Sequence, residues 1–387
     1  MSTGLPCRIP ERVEGRPLAR LLICAGGTGG GVYPALSVLQ ALEGKFESVL
    51  WVGGQGGMEA DLVERAGVPF RAIPAAGVHG VGLRALPGNL WKLIQGVLAA
   101  GRVLREFRPD VLLMTGGYVA APMAVAAWRI PTVLYVPDIE PGMALKFLAR
   151  FADHIALTAE PSRAFFPQRK AMTVTGYPTR PELDEWDRRG GQRRFAFKAD
   201  VPVLLVVGGS KGARSLNRAV LAHLPELLKL CQVVHVSGQL DWEEVDRAAQ
   251  ALPEELAFRY RAFPYLHDMG AALASADLAV MRAGASTLGE LPKFGLPAVL
   301  VPYPYAWRYQ KVNAAFLEAQ GAAVMVRDEE LGAQLLGQVS GLLQDPSRLD
   351  AMRAAMRSLA QPGAAERIAA LVLAQAKGED AKAGGPA

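Results

Sequence analysis

Short, uninterrupted apolar runs alternate with longer stretches of mixed polarity along almost the whole chain. Residues 21–24, 49–52, 111–114, 132–136, 203–207, 233–236, 278–281 and 298–301 read as strands, several of them ending on glycine. The stretches between them carry helical patterning, and such alternation predicts parallel α/β architecture rather than a sandwich or a bundle. One pattern occurs twice: LLICAGGTGGG leads into PALSVLQAL, and VLLVVGGSKGA leads into SLNRAVLAHL. Each is a buried strand, a glycine-rich turn and a helix. Two such openings about 180 residues apart predict two doubly wound, Rossmann-like parallel-sheet domains, with ligands at the carboxyl ends of the strands.

The length of 387 residues supports two hydrophobic cores. The join is placed near Tyr177-Pro178-Thr179-Arg180, ahead of a charged stretch through Arg194. The expected organisation is a disordered tail over 1–18, an N-terminal domain over 19–178 and a C-terminal domain over 179–345. Two helices split by Pro362-Gly363 follow within 346–376 and are expected to pack back on the first domain, before a loose tail over 377–387. The first segment carries Arg8, Arg12 and Arg16 without an apolar core, so it does not read as a secretory signal. Cys7, Cys24 and Cys231 lack the number and spacing of a disulfide framework or zinc site, which fits a reducing cytoplasm. No apolar run is long enough for a membrane span. The net charge of +5 is mild, and no basic block interleaved with aromatics points to nucleic acid.

Three glycine-rich turns carry the candidate chemistry. Gly26, Gly27, Gly29, Gly30 and Gly31 leave the backbone open to close approach, and Pro34 suits the first turn of a helix whose N-terminus favours an anion. The dinucleotide fingerprint is absent, because its third glycine position falls on Val32. Gly208-Gly209-Ser210-Lys211-Gly212 repeats the design with a hydroxyl added, and it lacks the spacing of a Walker loop. The third turn, Arg282-Ala283-Gly284-Ala285-Ser286-Thr287, opens a helix containing Glu290. Two readings stand there: amides that hold a diphosphate while Glu290 accepts from a ribose, or a capping box over Thr287-Leu288-Gly289-Glu290. Three such strand ends in one chain favour ligand binding.

The histidines, His79, His154, His223, His235 and His267, show no metal-ligand pairing, and Asp-x-Asp is absent. No metal and no other cofactor is expected, so helix dipoles and basic groups such as Arg180 would neutralise a phosphate. Residues 83–107 combine Leu86, Leu90, Trp91, Leu93, Ile94 and Val97 with Arg84, Lys92, Arg102 and Arg105. That combination suits either an anionic membrane interface or a helix packed on its own sheet.

Together, GGTGGGVYPAL from Gly26, MEADLVERAGVPF from Met58, GGYVAAP from Gly116, GYPTRPEL from Gly176, GGSKGARSLN from Gly208, RAGASTLGEL from Arg282 and the Gln310/Asn313 pair resemble the MurG family. These are transferases that move N-acetylglucosamine from UDP-N-acetylglucosamine onto lipid-linked N-acetylmuramyl-pentapeptide in peptidoglycan synthesis. The resemblance implies a GT-B fold with two domains facing a cleft, inversion at the anomeric carbon and no metal. It implies a UDP-sugar site of Arg180, Gly209, Ser210, Arg282, Gly284, Ala285, Thr287, Glu290 and Gln310. Of these, Arg180 and Ser210 would meet the nucleotide, Glu290 the ribose, Thr287 the diphosphate and Gln310 the sugar. Gly27, Thr28, Gly29, Gly30, Gly31, Gly116, Gly117 and Tyr118 would face the lipid pyrophosphate and acceptor. The implied location is the cytoplasmic face of the cell membrane, in peripheral contact with anionic lipid.

The chain departs from the family on the acceptor side. Gly31 stands where the family usually has histidine, and Tyr135-Val136-Pro137-Asp138 where it has His-Glu-Gln-Asn. Near the donor sugar, Tyr309 replaces the first of two adjacent glutamines. With the histidine missing, Asp138 is the expected general base, followed by Glu140 and His79. The alternatives are a transferase for another lipid or polymer-precursor acceptor, and a nucleotide-sugar-binding paralogue without transfer activity.

Overall fold

A computed structural model describes residues 19–26, 29–57, 59–76, 86–209, 212–304 and 309–378. The chain forms two units. The first comprises Met1–Pro137, Pro141–Pro178 and Gly363–Ala387. The second comprises Asp138–Glu140 and Thr179–Pro362. The segment expected as an N-terminal tail lies outside the described residues, as does the C-terminal tail from residue 379 onward.

The first unit is built on β1 (Arg20–Ala25), β2 (Ser48–Gly54), β3 (Phe70–Ile73), β4 (Val111–Gly116), β5 (Thr132–Val136), β6 (His154–Leu157) and β7 (Ala171–Val174). They pair in parallel in the order β3-β2-β1-β4-β5-β6-β7. Leu21, Leu22, Ile23 and Cys24 are all fully buried, which explains why β1 is apolar at every position: helices cover both faces of a parallel sheet. Strand order reverses between β1 and β4, and their register shifts at Cys24/Ala25, where the ladder opens towards the glycine-rich turn. The first helix starts at Gly29, ahead of Pro34, which stands inside it. Proline lacks the N–H that would bond back to the Gly30 carbonyl, so it loosens that turn without marking its start.

The second unit repeats the plan with β8 (Val203–Val207), β9 (Gln232–Val236), β10 (Tyr260–Phe263), β11 (Leu278–Met281), β12 (Ala298–Leu300) and β13 (Ala323–Met325). Their order is β10-β9-β8-β11-β12-β13, again all parallel, with the reversal between β8 and β11. Leu204, Val206, Val233, Leu278, Val280 and Val299 form the centre of its core. The two Rossmann-like sheets expected from the repeated sequence pattern are both present.

The two terminal helices part company. Ala364–Ala376 packs on Gly29–Ala41, β4 and β5 in the first unit. Pro346–Ser358, which the sequence reading assigned to the same domain, instead packs on Thr287–Phe294 and Leu331–Leu343 in the second. The reason is its apolar face, whose Leu349 and Met352 enter the second core.

Candidate functional site

Each unit places its glycine-rich turns at the carboxyl ends of the two strands flanking its switch point, where an open α/β sheet leaves a crevice for ligands. In the first unit Gly29, Gly30 and Gly31 occupy the opening turn of a helix. Their N–H groups precede any carbonyl that could accept within the helix, the arrangement that favours an anion at a helix N-terminus. Gly116 and Gly117 follow at the end of β4 with φ of 113° and 90°. A Cβ on Gly117 would fall 2.4 Å from the Gly26 carbonyl oxygen, so only glycine lets these turns meet. The Thr115 hydroxyl donates to the Gly31 carbonyl at 2.7 Å. Tyr118 is exposed beside them. Gly27, Thr28 and His79 lie outside the described residues.

Glu59 is buried at the same switch point and accepts from the Gly54 N–H at 2.8 Å. A Cβ on Gly26 would fall 2.3 Å from its Oε1, which makes this carboxylate part of the wall behind the turn. The sequence carried Glu59 only inside a longer motif.

The second unit gathers more side chains. After β8, Gly209 and Gly212 adopt φ of 90° and 80°, and a Cβ on Gly212 would strike the Ser237 carbonyl oxygen at 2.3 Å. Ser210 and Lys211 lie outside the described residues. After β11, the amides of Gly284 and Ala285 donate to no backbone carbonyl among the described residues, and a Cβ on Gly284 would meet open space. The Thr287 side chain does not cap the helix: it is buried, and its hydroxyl donates back to the Gly284 carbonyl at 2.6 Å. Glu290, one turn on, pairs with Arg180 at 3.6 Å. Burial pushes the Glu290 carboxyl above its usual range, while Arg180 and the Ser286 hydroxyl pull it back. Gln310 accepts the Tyr303 N–H on Oε1 at 2.9 Å, which leaves its amide N–H groups as donors.

Arg282 is 8% exposed and largely spent on its own surroundings. Nη1 donates to Asp328 at 2.6 Å and to the Val301 carbonyl at 3.2 Å, and Nη2 donates to the Ser215 hydroxyl at 2.7 Å. Ser215 in turn donates to Asp328 at 2.7 Å. The guanidinium lies 5.4 Å from the Tyr303 ring centroid. Sequence reading did not find Ser215, Asp328 or Tyr303, because nothing in their local pattern announces a shared arginine.

The positions of the segment Tyr135-Val136-Pro137-Asp138 differ in access. Tyr135 and Val136 are fully buried in β5, with the Tyr135 hydroxyl bound to that of Thr158 at 2.7 Å. Asp138 is the part-exposed member. Its Oδ1 accepts from the Asn313 amide at 2.8 Å. Burial raises its carboxyl above the usual range, and the Asn313 bond opposes that shift. Glu140 is buried, at 4% exposure.

Leu90, Trp91, Ile94 and Leu98 on the helix Leu86–Phe107 are 47% to 61% exposed, although Ala100 and Val103 seat that helix in the first core. No helix among the described residues is long and apolar enough to cross a membrane. A cavity of about 620 Å³ lies near the amino end of β11, away from the glycine-rich turns. Its charges answer one another, since Asp277 takes two bonds from Arg188 and a contact from Arg353.

Residues 21–157 match the N-terminal domain of glycosyltransferase family 28, and residues 203–368 match its C-terminal domain. A protein of Roseiflexus sp. (strain RS-1) is 42% identical over 94% of this chain and 97% of its own length. One from Halalkalibacterium halodurans is 36% identical over 92% of this chain and 100% of its own. Both are named UDP-N-acetylglucosamine--N-acetylmuramyl-(pentapeptide) pyrophosphoryl-undecaprenol N-acetylglucosamine transferase. The crystal structure of MurG from Acinetobacter baumannii superposes with a TM-score of 0.74 at 30% identity, covering 92% of this chain and 99% of that one. With both family 28 domains matched, the glycine-rich turns at both switch points and relatives of this identity along nearly its whole length, the chain belongs to the MurG family of glycosyltransferases.

Proposed function

We propose that this protein transfers N-acetylglucosamine from UDP-N-acetylglucosamine to the lipid-linked N-acetylmuramyl-pentapeptide precursor of peptidoglycan, with inversion and without a metal ion. The observation that carries the donor half is the group around β11: amides at Gly284 and Ala285 with no backbone acceptor among the described residues, a carboxylate at Glu290 steadied by Arg180, and Gln310, whose Oε1 is taken by the Tyr303 N–H. Gly284, Ala285 and the start of the Thr287 helix take the diphosphate, Glu290 the ribose hydroxyls, and Gln310 the sugar. Arg180, with Gly209 and Ser210, takes the nucleotide. Arg282 braces this floor through Asp328 and Ser215 rather than touching the donor. Gly27 to Gly31 and Gly116 to Tyr118 take the acceptor pyrophosphate on the first unit.

In the reaction the acceptor hydroxyl gives its proton to Asp138 as its oxygen bonds to the anomeric carbon. The bond from that carbon to the diphosphate oxygen breaks, and its electron pair leaves with UDP. Asp138 is favoured over Glu140 because it has a solvent-facing side and a carboxyl raised by burial, whereas Glu140 is enclosed. The exposed apolar stripe from Leu90 to Leu98, flanked by Lys92 and Arg102, supports peripheral contact with an anionic membrane at the cytoplasmic face.

A transfer assay tests this reading. With UDP-N-acetylglucosamine, a short-chain lipid-linked muramyl-pentapeptide and EDTA, a disaccharide product in the mass spectrum is expected. Donor binding without product would overturn it in favour of another acceptor or of a binding protein without transfer activity.

A further inference from the structure

Asn313 is fully buried, on the helix Tyr309–Ala319, and each polar group of its side chain is used. Its amide N–H groups donate to Asp138 Oδ1 at 2.8 Å and to the Ala283 carbonyl at 3.2 Å. Its Oδ1 accepts the Ile139 N–H at 3.0 Å. The partners fix which way the amide faces: two acceptors demand the nitrogen, and one backbone donor demands the oxygen. The three groups come from two separate segments that serve the reaction. Asp138 and Ile139 form one, and Ala283 starts the turn that leads to Gly284 and Glu290. Gln310 stands one helical turn before Asn313, so a single rigid element carries both residues.

We propose that Asn313 is the positioning residue that aims the Asp138 carboxylate, holding Oδ1 so that Oδ2 is the atom that receives the acceptor's proton. No other hydrogen bond to Asp138 occurs among the described residues, so Asn313 alone selects the oxygen. The bond also favours the charged carboxylate, opposing the burial that raises the Asp138 carboxyl above its usual range. Asn313→Asp would reverse both effects, setting a second carboxylate against Asp138 and against the Ala283 carbonyl while still accepting from the Ile139 N–H. The proposal rests on the reading of Asp138 as the base.

The test compares Asp138→Asn, Asn313→Asp and Asn313→Ala by the pH profile of kcat with saturating UDP-N-acetylglucosamine and lipid-linked acceptor. Thermal unfolding checks that each variant is folded at the assay temperature. Asp138→Asn is expected to lower kcat by about 100-fold or more and to abolish the acid limb. Asn313→Ala should move that limb up by about one pH unit, the worth of a lost hydrogen bond to a charged group, and Asn313→Asp should move it further. If Asp138→Asn keeps full turnover, the base reading fails and the proposal falls with it. If Asp138→Asn is inactive but both Asn313 variants keep the wild-type limb, or lose activity only through the KM for the donor, the positioning role alone is overturned. Should Asn313→Asp be too unstable to assay, the Asn313→Ala limb decides by itself.

Discussion

His235 makes the stability of the second unit depend on pH in a way that a single substitution can isolate. Its ring is fully buried in β9. Asn217 donates through its amide nitrogen to the Ser237 carbonyl and to Asp241, both at 2.9 Å, so its oxygen accepts from His235 Nε2 at 3.0 Å. Nε2 therefore carries the proton, and Nδ1 accepts the Tyr260 hydroxyl at 2.7 Å. The network specifies the neutral ring, and burial lowers its pKa to about 3. Below pH 6.5 the unfolded chain binds a proton here that the folded chain refuses until about pH 3, so acid favours unfolding throughout that window. At pH 5 the cost is 1.5 units below the ordinary value of about 6.5, or about 2 kcal/mol. In His235→Gln this proton is gone. Between pH 4 and 6 the free energy of urea unfolding, followed by tryptophan fluorescence, should rise with pH about 1.4 kcal/mol per unit less steeply than in the wild type. All other titrating groups cancel in the difference. Parallel curves for the two proteins would refute the neutral-ring reasoning.

Three further outcomes follow from other parts of the molecule. Gly117→Ala forces a side chain into φ of 90° and against the Gly26 carbonyl, and should cost about 1–3 kcal/mol in thermal unfolding while raising the KM for acceptor more than for donor; a wild-type melting temperature would contradict the close approach. Glu290→Gln keeps the shape of the side chain but removes the charge paired with Arg180; binding of UDP should weaken about tenfold and its advantage over 2′,3′-dideoxy-UDP should disappear, as measured by calorimetry, whereas an undiminished advantage would exclude Glu290 from the ribose. Leu98→Asp, at an exposed position, should reduce sedimentation with anionic vesicles by about tenfold or more, given roughly 1.5–3 kcal/mol for burying such a side chain, and should leave transfer to a water-soluble acceptor analogue unchanged; undiminished sedimentation would remove the stripe from the membrane contact.

What the sequence discloses follows from how local each cause is. The buried central strands were legible because burial on both faces demands an unbroken apolar run, as at Thr132–Val136 and Val203–Val207. The edge strands were not. Phe70–Ile73 and Ala171–Val174 are half-covered and mix Arg71 or Thr173 into their runs, and Ala323–Met325 is only three residues long. His154 hid an inner strand for a different reason: its ring bonds the Thr173 hydroxyl on the neighbouring strand at 2.9 Å, a partner no local window contains. The glycine-rich turns were legible because positive φ at Gly116, Gly117 and Gly209 leaves little choice of residue. Pairings across the chain, such as Asn313 with Asp138 at a separation of 175 residues and Ser215 with Asp328 at 113, left no trace that one sequence could show.

The same distinction between local identity and spatial access bears on the departures from the family pattern. Read along the chain, Tyr135-Val136-Pro137-Asp138 looks like the loss of a whole polar motif. In the fold, Tyr135 and Val136 are interior residues of β5, and Tyr135 is held by Thr158 and by edge-on contact with Tyr177 at 6.4 Å. Their change from polar residues alters how the strand is packed, since neither side chain reaches solvent. Asp138 alone combines access with ionisable chemistry, and it puts a carboxylate where the family has an amide. Under the proposed mechanism, a chain that lacks the histidine at Gly31 would take its proton acceptor from Asp138, which Asn313 holds at 2.8 Å. Loss at one position and gain at the other would then be two halves of one change in the base, while Tyr309, next to Gln310, is a separate departure.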